Sequence, residues 1–561
     1  MNGFVRFAAM AAAACTVAAC STPVPQALKP QDVPSSFTGP LTPGASIWPN
    51  PDWWNNFHST ELSGLVTNAQ TNNFDIAVAM ADVLQAEANR DIARSALFPT
   101  FTGDATATRS RSPGGNSLVE ISPGVFRNES FPATINNQFG LTLNGTYYAD
   151  IWGLARDNLR VAQEALKSSR FAQQEVALTT TASVADTYFS ILALRQEESI
   201  IQQNIDAANR ILTITRAKVT NGVSSQLDLS QQEATVYGQE AALPPLREQE
   251  VEAINALAVL LGRPPEGFNV AGTTLDAVNI PGVTPGLPSE LIARRPDIAQ
   301  AEANLASQHA SVDAARAAFF PQINLTGDGG FGSTAISTLL NASSFEWSIG
   351  ASAVQTIFDG GKLIGESDLA KAEQLGLIST YRKTVISAFS GVETSLNQVA
   401  NFTAEADALQ KEVTASANAF RISELQYREG IADLLSVLQA QQTLFTAQNQ
   451  LQLVKLQRYQ AVVNLYLALG GGWSENPDDA TQSVPPAAAV VTPAAAVAPA
   501  PEGASAPQPA SAPASQTAPA SQTTPAPSGG ATGTGPSPAA PSSATPPASP
   551  PAESPSPPAK G

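Results

Sequence analysis

The sequence predicts a mainly α-helical chain with a small β part, made of one unit of about 200 residues written twice. Three observations carry that prediction. First, AARAAFFPQINLTGD at Ala314–Asp328 repeats IARSALFPTFTGD at Ile92–Asp104, and YREGIADLLSVLQAQQ at Tyr427–Gln442 echoes VTNGVSSQLDLSQQEA at Val219–Ala234. Gly153, Gly222 and Gly262 recur as Gly361, Gly430 and Gly470, each 208 residues later. A shared register of this kind marks a tandem duplication, so any functional surface is built twice. Second, proline is absent from Ala133 to Leu243 and from Gln322 to Asn476. Third, four short segments alternate apolar and polar residues with period two.

The 561 residues divide by composition into a leader over 1–19, an N-terminal segment over 20–57, repeats over 58–265 and 285–473, and a tail over 474–561. Net charge is −18 with only 30 basic residues, which argues against nucleic acid as a partner. In the leader, Arg6 precedes a short apolar run from Phe7 to Val17, too short to span a bilayer. It ends in Val17-Ala18-Ala19-Cys20, which resembles the lipobox of bacterial lipoproteins, where the thiol takes a diacylglyceryl group and the matured amine an acyl chain such as palmitate. Cys15 would leave with the leader, so the mature chain keeps one cysteine and no internal disulfide. In that lipoprotein class an Asp after the cysteine commonly signals inner-membrane retention; Ser21 stands there and implies the outer membrane. No stretch reaches 18 consecutive apolar residues, so any membrane span must be made of strands.

Each Pro-free stretch, rich in Ala, Gln, Leu and Glu, reads as a long helix. Asn221-Gly222 and Glu429-Gly430 read as stops, where glycine takes positive φ. Each half therefore offers a helix of roughly 65 residues, a tight turn and a second helix of about 40. The longer one would reach on the order of 100 Å. Helices of that length need partners, and the three-and-four spacing in Leu434-Leu435-x-x-Leu438 and Leu444-Phe445 reads as coiled-coil packing.

The alternating segments are Thr100–Thr108, Phe139–Tyr147, Ile323–Phe331 and Trp347–Ala353. At about ten residues each they suit tilted membrane strands. The first hairpin is about 14 residues longer than the second, and the excess falls in Ser110–Ala133, a Gly-, Pro- and Asn-rich stretch expected to be a loop at an exposed tip. Four strands cannot close a barrel, and an open edge in lipid leaves unpaired backbone groups that each cost several kcal/mol. Three copies would supply twelve strands in a quasi-sixfold ring. After Ser474 the chain is mostly Ala, Pro, Ser and Thr and is expected to be disordered.

At this point a family resemblance carries the reading further. Leu291-Ile292-Ala293-Arg294-Arg295-Pro296-Asp297-Ile298 with Ala301-Glu302 resembles the RRPDI signature of TolC/OprM-type outer-membrane efflux proteins, and more narrowly their NodT-like lipoprotein branch serving RND multidrug pumps. The Phe98-Pro99 and Phe320-Pro321 pairs, the run Val463–Trp473 ending in LGGGW, and the lipobox fit the same family. The resemblance implies a homotrimer with a 12-stranded β-barrel in the outer membrane and a 12-helix α-barrel of coiled coils through the periplasm. It also implies a periplasmic adaptor (membrane fusion) protein and an inner-membrane RND transporter as partners. The implied function is that of a passive conduit for drugs or other small solutes, hence antibiotic resistance. A channel for type I protein secretion and a poreless periplasmic coiled-coil lipoprotein stand as alternatives.

Catalytic chemistry has little to work with. His58 and His309 are far apart and lack neighbouring His or Cys, so no metal cluster or cofactor site is expected. Gly327-x-Gly329-x-x-Gly332 has dinucleotide-motif spacing but no helix opening after it, and reads as a Gly-rich strand. The informative place is the pair of helical turns at Gly222 and Gly430. By the resemblance, the helix after the second turn lines a periplasmic constriction, with Leu435 matching a leucine ring of OprM-like members. Gln439 stands where members usually carry an aspartate, Ser436 where TolC carries another, and Ala432 in place of the TolC gating arginine. Asp433 and Asp228 are the nearest carboxylates. The candidate gate is therefore Leu435, Ser436, Gln439, Asp433 and Asp228, and the candidate lipidation site is Cys20.

Overall fold

The computed structural model describes residues 33–39, 48–282 and 286–473. The leader over 1–19, Cys20 and the tail over 474–561 lie outside the described residues. A 3-10 turn at Trp53–Phe57 leads into α1 (Thr60–Asn72) and α2 (Phe74–Ser95). Then come β1 (Thr100–Ser112), β2 (Gly115–Ser122), β3 (Val125–Phe131) and β4 (Thr134–Ala149), followed by α3 (Leu154–Thr220) and α4 (Gln226–Leu260). The second half repeats the order with α5 (Pro296–Ala317), β5 (Gln322–Ser333), β6 (Phe345–Val354), α6 (Lys362–Arg428) and α7 (Leu434–Ala468). The duplication is therefore carried into three dimensions: α3 and α6 have 67 residues each, α4 and α7 35 each. At 1.5 Å per residue the long pair reach about 100 Å. α4 runs through Pro244 and Pro245 without ending, although two backbone donors are lost there.

The four strands that alternate in sequence form one antiparallel sheet in the order β1-β4-β5-β6. Its register sorts the side chains cleanly. Phe101, Gly145, Gly327 and Ile349 share one row; Gly103, Leu143, Gly329 and Trp347 the next; Ala105, Leu141, Phe331 and Phe345 the third. Because alternate residues point to opposite faces, this face is apolar across these three rows. The other face carries Thr102, Asn144, Asp328 and Ser348 in one row and Asp104, Thr142, Gly330 and Glu346 in the next. There Asn144 donates to Asp104 at 2.7 Å and Ser348 to Asp328 at 2.7 Å. Phe101, Leu143, Trp347 and Ile349 are all exposed on the single chain. The dinucleotide-like glycines lie on β5 with no helix opening behind them.

Ser110–Ala133, expected to be a loop, is instead a continuation of the hairpin. β2 and β3 pair with each other in the same register as β1 and β4, and the chain reverses at Gly124 with φ 81°. The Leu118–Ile121 and Val125–Phe126 residues give it β-branched and aromatic content, while Pro113, Gly114, Pro123 and Pro132 supplied the loop-like composition.

The main core gathers where the two halves meet. Trp53 stacks on Tyr466 with centroids 4.9 Å apart, and Phe57, Phe189, Leu192, Leu257, Leu261, Tyr459 and Val463 close around them. RRPDI explains itself here. Arg295 grips Asp297 with two nitrogens at 2.9 and 2.7 Å and donates to the Ala468 carbonyl at 2.6 Å, satisfying the C-terminal end of α7. Gly470, at φ 84°, passes so close that a Cβ would sit 1.8 Å from the Arg294 carbonyl oxygen. RRPDI and LGGGW are thus two sides of one contact. Its counterpart in the first half is Gly262 against the Asn72 carbonyl. Described residues of the N-terminal segment also dock: Phe37 is buried against α6 and Thr38 donates to Glu393 at 3.1 Å.

Arg295→Ala leaves a half-buried carboxylate and a helix-terminal carbonyl unpaired, and is expected to destabilise the protein by about 2–3 kcal/mol. Arg295→Lys should recover little of this, because lysine cannot make the planar two-pronged contact. Unfolding midpoints of the detergent-solubilised variants measure both effects.

Candidate functional site at the paired helical tips

Both hairpins end in the same local chemistry. After α3 the chain turns at Gly222, φ 71°, with Val223 N–H donating to the Lys218 carbonyl at 2.8 Å. After α6 it turns at Gly430, φ 79°, with Ile431 N–H donating to the Gln426 carbonyl at 2.8 Å. These six-to-one bonds satisfy helix-end carbonyls, and the φ values explain glycine at both positions.

The next helices start on side-chain caps. Ser225 and Asp228 form a reciprocal capping box, at 3.1 Å from Asp228 N–H to Ser225 Oγ and 2.9 Å from Ser225 N–H to Asp228 Oδ2. Ser224 adds a 2.6 Å bond to the same carboxylate. Asp433 caps α7, accepting from Ser436 N–H at 3.0 Å and Ser436 Oγ at 2.6 Å. These hydrogen bonds, the serine hydroxyl first in each case, hold both carboxyls below the ordinary aspartate value. The charge of Asp228 opposes the effect on Asp433 only weakly. Both are therefore anionic at neutral pH, and three of the five candidate gate residues (Asp228, Asp433 and Ser436) are engaged in building the turns.

Leu435 behaves differently. Inside the chain, Leu434 and Val437 do the packing, joined to Ile211, Phe420, Leu444 and Phe445. Leu435 points away and is 66% exposed, on the same side of α7 as Ser436 and Gln439. The structure also brings forward residues that sequence reading passed over. Val223 and Leu227, 73% and 65% exposed, occupy on the first tip the places that Ile431 and Leu435 hold on the second. Each tip thus presents an uncovered apolar pair four residues apart.

A clasp joins the two hairpins just above these pairs. Lys218 Nζ donates to the Tyr427 carbonyl and lies 4.2 Å from the centre of its ring. The Tyr427 hydroxyl and Thr215 Oγ1 are 3.0 Å apart, both buried. Arg210 and Glu424 add an ion pair at 3.7 Å between the same two helices. Neither Lys218 nor Tyr427 carries a sequence signal for this contact, since 209 residues separate them. A cation in the last helical turn was the one available hint.

The histidines have ordinary partners: His58 meets Asn279 at 3.4 Å and His309 meets Gln374 at 3.2 Å. Among the described residues no group of three His, Cys, Asp or Glu is placed to hold a metal. None of their helices is long and apolar enough to cross a membrane.

Comparison with known proteins matches residues 65–263 and 287–471 to the outer membrane efflux protein family. The pyoverdine export outer membrane protein OpmQ of Pseudomonas putida is 36% identical over 457 residues, covering 81% of this chain and 95% of that protein. The probable efflux pump outer membrane protein TtgC of Pseudomonas putida is 31% identical over 442 residues, covering 79% and 88%. Among solved structures, the outer-membrane channel OprN superposes with a TM-score of 0.71 at 26% identity, covering 80% of this chain and 100% of that one. The open state of the Neisseria gonorrhoeae MtrE outer membrane channel gives 0.70 at 28% identity, covering 80% and 98%.

Lys218→Met should loosen the clasp while leaving each hairpin folded. Resting conductance in planar bilayers is expected to rise severalfold, and Tyr427→Phe, which keeps the ring and carbonyl, should raise it less. Equal conductance in all three proteins would remove the clasp from control of the tips.

Proposed function

The chain belongs to the outer membrane efflux protein family, and on that premise we propose that three copies close one passive channel running from the outer membrane into the periplasm. The observation that carries this reading is the sheet: four strands, one apolar face, one polar face and two unpaired edges at β1 and β6. Set in hydrocarbon, each open edge would leave a row of unbonded N–H and C=O groups at several kcal/mol apiece. Pairing β1 of one copy with β6 of the next removes both edges and yields twelve strands. Asp104, Asp328 and Glu346 then face the water-filled interior, and Phe101, Leu143, Trp347 and Ile349 face lipid.

In the same assembly six copies of the tip, two per chain, converge on the periplasmic opening. Leu435 narrows that opening as an apolar ring, with Ser436 and Gln439 beside it. Asp228 and Asp433 keep the surroundings negative, although their first task is to cap the helices. The tips dock with a periplasmic adaptor, which links the channel to an RND transporter of the inner membrane. Energy and choice of cargo belong to that transporter, consistent with relatives whose names range from pyoverdine export to efflux pumps. Cys20 carries lipid and tethers each chain to the inner leaflet, while the barrel itself holds the membrane.

Leu435→Ser is expected to raise resting conductance severalfold with trimer yield unchanged; an unaltered conductance would remove Leu435 from the gate. Cys20→Ala should abolish incorporation of labelled palmitate yet leave protein that inserts and conducts. Label persisting in the Cys20→Ala variant would overturn the lipidation assignment.

A further inference from the structure

The charges of the four-stranded sheet are fully sorted between its faces. All three carboxylates, Asp104, Asp328 and Glu346, lie on the polar face. Both cations of the sheet, Arg109 and Arg111, lie on β1 at odd positions, in the same alternating set as Phe101, Gly103, Ala105 and Ala107. They therefore sit on the apolar face, opposite Asn137 and Ile135 of β4.

Their height on that face is fixed by the strand register. The apolar face of β4 runs from Ala149 to Phe139, which is 11 residues. At about 3.3 Å per residue and a tilt near 45° this spans about 25 Å, the height of a lipid-facing band. The helices all leave from the Ala149, Thr100, Gln322 and Val354 end, so that end is periplasmic and the Phe139 row is the outer rim. The next two outward positions on β1 are Arg109 and Arg111, at the level of the outer-leaflet headgroups.

None of the described residues neutralises them there. Both are exposed, and neither forms an ion pair among the described residues. The β5–β6 connection, which a neighbouring copy would bring beside β1, contains no charged residue from Ser333 to Phe345. Glu129, on the β2–β3 ribbon opposite Ser117, lies six residue pairs beyond Arg111 and Ile135 along the hairpin, about 20 Å away. Two arginines two residues apart on one strand face have Cα atoms about 7 Å apart, close enough to serve neighbouring phosphate groups, and arginine binds phosphate with paired parallel donors.

We propose that Arg109 and Arg111 form a binding site for the phosphate groups of outer-leaflet lipid headgroups, holding a phosphorylated glycolipid against each β1–β6 seam of the barrel. The site rests on the membrane-barrel reading given above. Ile135 beside Arg111 and Phe139 one row inward of Arg109 supply the apolar contact that the lipid's acyl region needs. The acidic chain as a whole, at −18, makes an outward basic pair at this one level an exception to its general charge.

The test compares wild-type protein with the Arg109→Gln, Arg111→Gln double variant and with Arg109→Lys, Arg111→Lys. Each is purified from mixed micelles containing bisphosphorylated lipid A or its dephosphorylated form, and lipid retained per trimer is measured by mass spectrometry. Wild type should retain the phosphorylated lipid about tenfold or more over the Gln variant, with the Lys variant between them. Dephosphorylated lipid should be held equally poorly by all three, and inorganic phosphate at equal concentration should not displace the phosphorylated lipid. Equal retention by the Gln variant, or equal binding of the dephosphorylated lipid, or displacement by inorganic phosphate would overturn the lipid site. Single-channel recording separates the two readings. Wild-type protein that conducts but holds no phosphorylated lipid overturns the site alone, whereas protein that neither inserts nor conducts overturns the barrel as well.

Discussion

The unpaired backbone at the two edges of the β-sheet governs this protein. A strand edge in water costs little, because water supplies the missing bonds; in hydrocarbon the same edge is prohibitive. One chain offers four strands with β1 and β6 open, and no crossing helix among its described residues to shelter them. In the trimer proposed above, association is the condition for insertion, and the arrangement of the helices follows from it. Each strand is continuous with a helix, so closing the sheet also arranges the helices around one axis.

The internal duplication makes such closure economical. The two halves place their turns, caps and apolar tip residues at equivalent positions, so the proposed trimer would present six nearly equivalent tips. The equivalence is broken where function asks for it. The β2–β3 ribbon exists in the first half alone, Pro244 and Pro245 interrupt the hydrogen bonding of α4 but not α7, and Lys218 on one hairpin holds Tyr427 on the other. The clasp ties two unlike hairpins of one chain together close to their tips.

Much of this was legible in the sequence, for physical reasons that differ by element. The long helices showed through the absence of proline and the glycine stops, because helix interiors exclude one and helix ends favour the other. The four strands of the main sheet showed through period-two alternation, and their register then placed every predicted apolar residue on one face. Ser110–Ala133 misled because its glycines and prolines outweighed a weak alternation, and a ribbon exposed on both faces is under no pressure to display one. RRPDI was recognisable as a signature, but its work was not: the Arg295 bonds to Asp297 and to the Ala468 carbonyl, 173 residues away, become visible only once α7 is folded back. The chain turns at Gly222 and Gly430, but the capping roles of Asp228 and Asp433 and the clasp at Lys218 depend on hydrogen-bond geometry and on contacts across the duplication.

The most direct test of the account is the mass of the detergent-extracted protein, corrected for bound detergent, by sedimentation equilibrium. Closure of the sheet predicts three times the mass of one chain, whose 561 residues amount to 58.2 kDa. A single-chain mass in protein that still inserts into bilayers and conducts would contradict it, since the edges of β1 and β6 would then have to be satisfied without a neighbour.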